Sequence, residues 1–153
     1  MPMFNFRILL TAIALTVCAN SLAQTTCAGL AANEVVDRQL VALRDNDEPV
    51  PDAGIARTWE FAHPANRRYT GPLPRFTDML KSPAYRGLLG HRSHDVEELG
   101  RDTKRAVFLV TVQSNTNRAL GFRWTLEKVK DGEYANCWMT TNVSPQVTLG
   151  EII

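Results

Sequence analysis

From Ala119 to Val129 the side chains alternate with a period of two. Leu120, Phe122, Trp124 and Leu126 share one face, and Gly121, Arg123, Thr125 and Glu127 share the other. Successive strand residues point to opposite faces, so this segment turns four bulky apolar groups to one side. That side needs a cover, because exposed apolar area of this size is costly in water. Residues 105–113 form a second, nearly all-apolar strand (Ala106-Val107-Phe108-Leu109-Val110), and residues 114–117 join the two as a hairpin. Lys130-Asp131-Gly132 supplies the next turn, with Asp-Gly where a tight hairpin favours it. A strand over residues 136–143 carries Trp138 and Met139, and a weak one precedes the pair over residues 94–99. The C-terminal residues 149–153 can add a short edge.

The cover comes from the first half of the chain. Val36, Leu40 and Leu43 recur at helical spacing within residues 32–45, with Glu34, Asp37, Arg38 and Arg44 on the other side and Asn33 as the expected cap. Residues 45–51 hold two prolines and four polar side chains and read as a loop. A short helix is expected after Asp52, a good N-cap, with Ile55, Trp59 and Ala62 on one face and Pro64 ending it at His63. Residues 66–74 read as irregular. Pro74 then opens a third helix through Phe76, Met79 and Leu80, and Ser82-Pro83 starts a last turn through Tyr85, Leu88 and Leu89 that Gly90 closes. Helices grouped ahead of a meander predict an α+β fold, with the N-terminal helices packed on a curved antiparallel sheet of about four strands, cone-like in shape.

Export is written at the start of the chain. Arg7 precedes an apolar run over residues 8–17, and Ser21-Leu22-Ala23 offers small residues at the cleavage positions, so residues 1–23 read as a signal peptide. The run is about half the ~20 residues of a membrane-spanning helix. Residues 24–153 then form one α+β domain, periplasmic or secreted, with no stable membrane span. Loss of Arg7 takes the 17 basic residues to 16, against 16 acidic ones, and the balance argues against a nucleic-acid partner. Hydrophobic residues at 44% rule out a wholly disordered chain. Cys27 and Cys137 remain after cleavage; in an oxidising compartment they are a disulfide candidate, though Cys137 in an apolar strand is equally natural as a buried thiol.

The local words have a family likeness. Val36-x-x-Gln39-Leu40-x-Ala42-Leu43-Arg44-x-Asn46-Asp47, then Trp59-Glu60-Phe61-Ala62-x-Pro64-x-Asn66, Thr70-Gly71-Pro72, Arg75-Phe76, Tyr85-x-x-Leu88-Leu89-Gly90-His91 and Cys137-Trp138 together resemble domain of unknown function 4864. That family looks like a branch of the cone-shaped α+β superfamily named after nuclear transport factor two. The resemblance covers roughly residues 33–144 and implies a long N-terminal helix across a strongly bent sheet, with a pocket between them. It implies no activity, because the superfamily holds enzymes and non-catalytic modules alike.

The candidate chemistry is sparse. His91-Arg92-Ser93-His94-Asp95 could ligate a metal if helical, but as a strand entry the two imidazoles face opposite ways; a solvated loop at the sheet rim is the plainer reading, and no metal or cofactor is expected. His63 could act as a general base in the cone or simply cap a helix. Asp37, if it faced the cone, could be a second base, but beside Val36 it is expected in solvent. Arg67, Arg68, Tyr69 and Arg75 could hold an anion. Trp59, Phe61, Trp124 and Trp138 could line an apolar pocket or form plain core. These residues lead to two expectations of different kind. The first is an exported module that binds a small molecule or a protein through the sheet without catalysis. The second is a small hydrolase, dehydratase or isomerase using a histidine–acid pair. A homodimer through the outer sheet face is a further expectation. Two titratable side chains in one cavity would favour the enzyme.

Overall fold

The computed structural model describes residues 27–151; the expected signal peptide, residues 1–23, lies outside them. Four helices come first: α1 (Ala32–Arg44), α2 (Ala53–Glu60), α3 (Pro64–Thr70) and α4 (Leu73–Lys81), then a 3₁₀ turn (Arg86–Leu88). Five antiparallel strands follow: β1 (Ser93–Arg101), β2 (Arg105–Gln113), β3 (Arg118–Lys128), β4 (Trp138–Val143) and β5 (Val147–Glu151). The order is β1-β2-β3-β4, and β5 also pairs with β3. The fold is α+β, as the patterning predicts, with one strand more than the expected four.

The β3 alternation is what sets the layers. Phe108 lies opposite Trp124, Val110 opposite Phe122 and Val112 opposite Leu120, so the two central strands present one apolar face. Val35, Val36, Leu40 and Leu43 of α1 and Ile55 of α2 join these residues in one hydrophobic cluster. A mean strand-to-helix burial of this kind contributes about 1.5–3 kcal/mol per large side chain. The other face of β3 is only partly open to solvent. Arg123 and Glu127 are exposed, but Thr125 is buried and Leu149 of β5 lies over Gly121, where an added Cβ would sit 3.2 Å from a Leu149 methyl.

Helix α2 crosses α1 at very close range. A Cβ at Gly54 would fall 1.9 Å from the Ala42 carbonyl oxygen, so only glycine permits the crossing. Three expectations about helix ends need correction. Asn33 lies inside α1; the start is held by Glu34, whose carboxylate accepts the Ala31 amide at 2.6 Å. Asp52 stands at the N-cap of α2 but at φ +62, and its side chain caps nothing there. Buried Asn46 does the work from the end of α1: its Oδ1 accepts the Ile55 amide at 2.9 Å. Residues 64–70 are helical rather than irregular. Pro64 does not merely end α2 but occupies the first turn of α3, where its missing N–H costs nothing.

Cys27 and Cys137 meet at disulfide distance, with Cα atoms 5.5 Å apart, and tie the entry of α1 to the entry of β4. No described helix is long and apolar enough to cross a membrane.

Candidate functional site

Where α1, α2 and α4 lie over the inner sheet, they leave a cavity of about 80 Å³. By that measure one water needs roughly 10–15 Å³, so the space suits a few waters or a small organic molecule. Leu43, Phe76, Leu80 and Leu88 form its apolar wall, and Gln39, Thr58, Asn66, Thr70 and Thr140 its polar one. Tyr85 is the one ionisable side chain among the lining residues. Its hydroxyl donates to the Val143 carbonyl at 3.1 Å, and burial pushes its pKa up.

The polar wall rests on a closed network. Trp124 Nε1 donates to Gln39 Oε1 at 3.0 Å, and the Thr140 hydroxyl donates to the same oxygen at 2.6 Å. Gln39 Nε2 donates to the Thr58 carbonyl at 3.1 Å. Buried amides and hydroxyls are tolerated when paired in this way. The strand entry is fixed by backbone bonds: the Thr140 amide donates to Phe61 O at 2.8 Å, and the Thr140 carbonyl accepts the His63 amide at 2.9 Å. Asn66 Nδ2 donates to that same carbonyl at 3.2 Å.

Of the sequence candidates, only Trp124, 1% exposed, reaches this cavity. Trp59 stands outside it, tilted on Phe76 with ring centroids 4.8 Å apart. Trp138 is buried at the start of β4, with the Lys128 ammonium 5.3 Å above its ring. Tyr69 is 77% exposed, and Arg75 is exposed on α4. Arg67 is engaged: it donates to the Trp59 and Glu60 carbonyls that end α2 and lies between the Trp59 and Tyr134 rings. The guanidinium closes a helix C-terminus, a position that favours a cation.

His63 is half-buried and its Nδ1 accepts the Ala65 amide at 3.0 Å, capping α3; burial lowers its pKa. Asp37 is exposed and borders an open cleft beside His94, not the cavity.

The histidine segment departs from its expected geometry. His91 is 2% exposed rather than solvated, and its Nε2 lies 2.8 Å from His94 Nδ1. The strand begins only at Ser93, and Gly90 at φ +63 turns the chain just before it, so strand parity does not govern His91. Among the described residues, no group of three His, Cys, Asp or Glu side chains is arranged to hold a metal ion.

Gln39, Thr58, Asn66, Thr70 and Thr140 were not read as site residues from the sequence, although Gln39, Asn66 and Thr70 stand among the words of the family resemblance. One signal was there: Gln39 interrupts the buried stripe of Val36, Leu40 and Leu43, and a polar residue in such a stripe needs a buried partner. The partners lie 19, 85 and 101 residues away. No family model, curated protein or solved structure matches this chain.

Proposed function

We propose that this chain is an exported binding module that encloses a small, uncharged, largely apolar molecule between its helices and its sheet. The observation that carries this reading is the cavity lining: one apolar wall, one wall of neutral amides and hydroxyls, and a single ionisable group, Tyr85. Such a lining rewards shape and one or two hydrogen bonds. Acid/base chemistry needs a proton donor and acceptor converging on one atom, and Tyr85 supplies one group of the two. Export to the periplasm or beyond is supported by the paired Cys27 and Cys137, since such bonds persist in oxidising compartments. The long α1 laid over a bulged sheet with a cavity between supports membership in domain of unknown function 4864 and its cone-shaped superfamily.

Native mass spectrometry of the protein taken from its own cell envelope tests the binding reading. The expected result is a bound species of low mass that Met79→Trp, which fills the cavity from its α4 side, displaces. An empty protein, or a bound species indifferent to Met79→Trp, overturns it.

A further inference from the structure

His91 and His94 sit outside the cavity but are joined to its wall. His91 Nδ1 lies 2.7 Å from the Leu88 carbonyl, and a carbonyl only accepts, so Nδ1 carries the hydrogen. The neutral ring then presents a bare Nε2, 2.8 Å from His94 Nδ1, which must therefore donate. The two tautomers are fixed in series, and His94 Nε2 is the acceptor left over.

A first added proton can settle on His94 Nε2, and no bond is lost. A second has only His91 Nε2 to occupy. There it would set an N–H against the N–H of His94 across a 2.8 Å gap, in two cationic rings whose centroids are 5.0 Å apart. The pair holds one proton comfortably and two only by separating.

Separation reaches the cavity through the 3₁₀ turn. His91 keeps its Nδ1 hydrogen on the Leu88 carbonyl when charged and holds it more firmly, so a displaced ring draws the turn with it. Leu88 lines the cavity, and the bond that then yields is that of the neighbouring Gly90 amide to the carbonyl of Leu43, another lining residue, at 3.1 Å. We infer that His91 and His94 form a single-proton latch on the 3₁₀ turn, and that a second proton releases the turn and opens the cavity, an acid-sensitive gate on its contents. As a gate on a ligand it rests on the binding reading above; as a latch on the turn it does not.

The surroundings fit a pair that resists its second proton. Burial is the largest influence on both rings and lowers both pKa values; at His91 the Leu88 carbonyl opposes it, because a charged ring donates to that carbonyl more strongly, and the neighbouring His94 adds to it. From α1, Arg44 opposes protonation of either ring while Asp37 favours it at His94; Asp45, just beyond α1, favours it at His91. From β1, Asp95 favours it at His94, and Glu98 and Arg101 of the same cleft are paired with each other at 2.5 Å. The turn itself carries Arg86, and the nearby Arg92 is bonded to Asn117. On β2, the residues opposite β1 on this face are the uncharged Val110 and Val112. Burial with Arg44 thus resists protonation at both rings and the carboxylates offset part of it; what sets the second proton apart is the first, already carried by the ring next to it.

The test is ring-nitrogen NMR on the full protein, titrated from pH 8 to pH 4.5, with amide exchange followed alongside. The expected result is an Nδ1–H tautomer for both rings at pH 8, proton uptake in two separated steps, and at least tenfold faster exchange of the Gly90 amide in the second step only. His94→Gln keeps a donor toward His91, can turn its amide oxygen to accept once His91 is charged, and is expected to leave Gly90 protected throughout. An Nε2–H tautomer at His91, independent titration of the rings, or Gly90 protection unchanged through the second step overturns the latch. Because none of these readouts uses a ligand, a protein that behaves so yet never carries a bound species would sink the binding reading and leave the latch standing.

Discussion

Two polar clusters, one buried and one reaching from buried His91 to half-buried His94, lie on either side of Leu88, and they are built on opposite principles. The Gln39–Trp124–Thr140 cluster consists of neutral groups whose donors and acceptors close on one another. The His91–His94 cluster is as well bonded, but both members are ionisable, with pKa values that burial holds below the ordinary histidine range. The first keeps its bonds at any pH at which the fold survives. The second keeps them only while it holds fewer than two protons. Burial therefore means permanence for one cluster and conditional order for the other, although both are formed by side chains of similar polarity.

The largest expected effect breaks the neutral cluster. Trp124→Ala removes the central indole and leaves Gln39 and Thr140 beside a void, and should cost about 3–5 kcal/mol in denaturant unfolding. The loss should be the same at pH 8 and pH 6, and a strong pH dependence would break the contrast between the clusters. Next comes the link between α1 and β4. Reduction, or Cys27→Ser with Cys137→Ser, should cost about 2–4 kcal/mol by the same measurement, since the bond closes a loop across a separation of 110 residues. Thr140→Val keeps the shape but removes a hydroxyl that donates to Gln39, and should cost about 1–2 kcal/mol, again without pH dependence.

The pH profile of the unmodified protein sharpens the other side. His63, His91 and His94 all have pKa values below the ordinary histidine range in the folded state, with burial as the first cause. The unfolded chain then binds more protons as pH falls, so stability is full above about pH 6.5 and declines below it. The slope should be shallower in His94→Gln than in the parent; equal slopes would mean that the pair is not its source. The smallest effect is expected at Tyr69, which is 77% exposed: Tyr69→Ala should change stability by less than about 0.5 kcal/mol.

The strands were readable because their signal is local. Leu120, Phe122, Trp124 and Leu126 announce a buried face within seven residues, and residues 105–113 match β2 in both bounds. Helix α1 was readable for the same reason. Helix α3 was not: it has no buried residue and no apolar stripe, and it is held from outside by Asn66 on Thr140 and by Arg67 under the end of α2. The cavity was half readable. Trp124 stood out as a large aromatic on the inner face, whereas Trp59, Tyr69, Arg75 and Trp138 stood out equally and lie elsewhere. Thr58 and Thr140 carry no local mark, since a threonine in a helix or a strand looks the same whether it faces water or a buried amide.

The sequence by itself determined the apolar inner face of the sheet, the order of helices before strands, and the turn that joins β2 to β3, because periodicity and turn chemistry act within a few residues. Only the tertiary structure decided which polar side chains meet. Gln39 finds Trp124, Asn46 caps a helix across a loop, and His91 turns inward to His94, each because packing forbids an unpaired polar group in the interior but does not say in advance which distant partner will satisfy it.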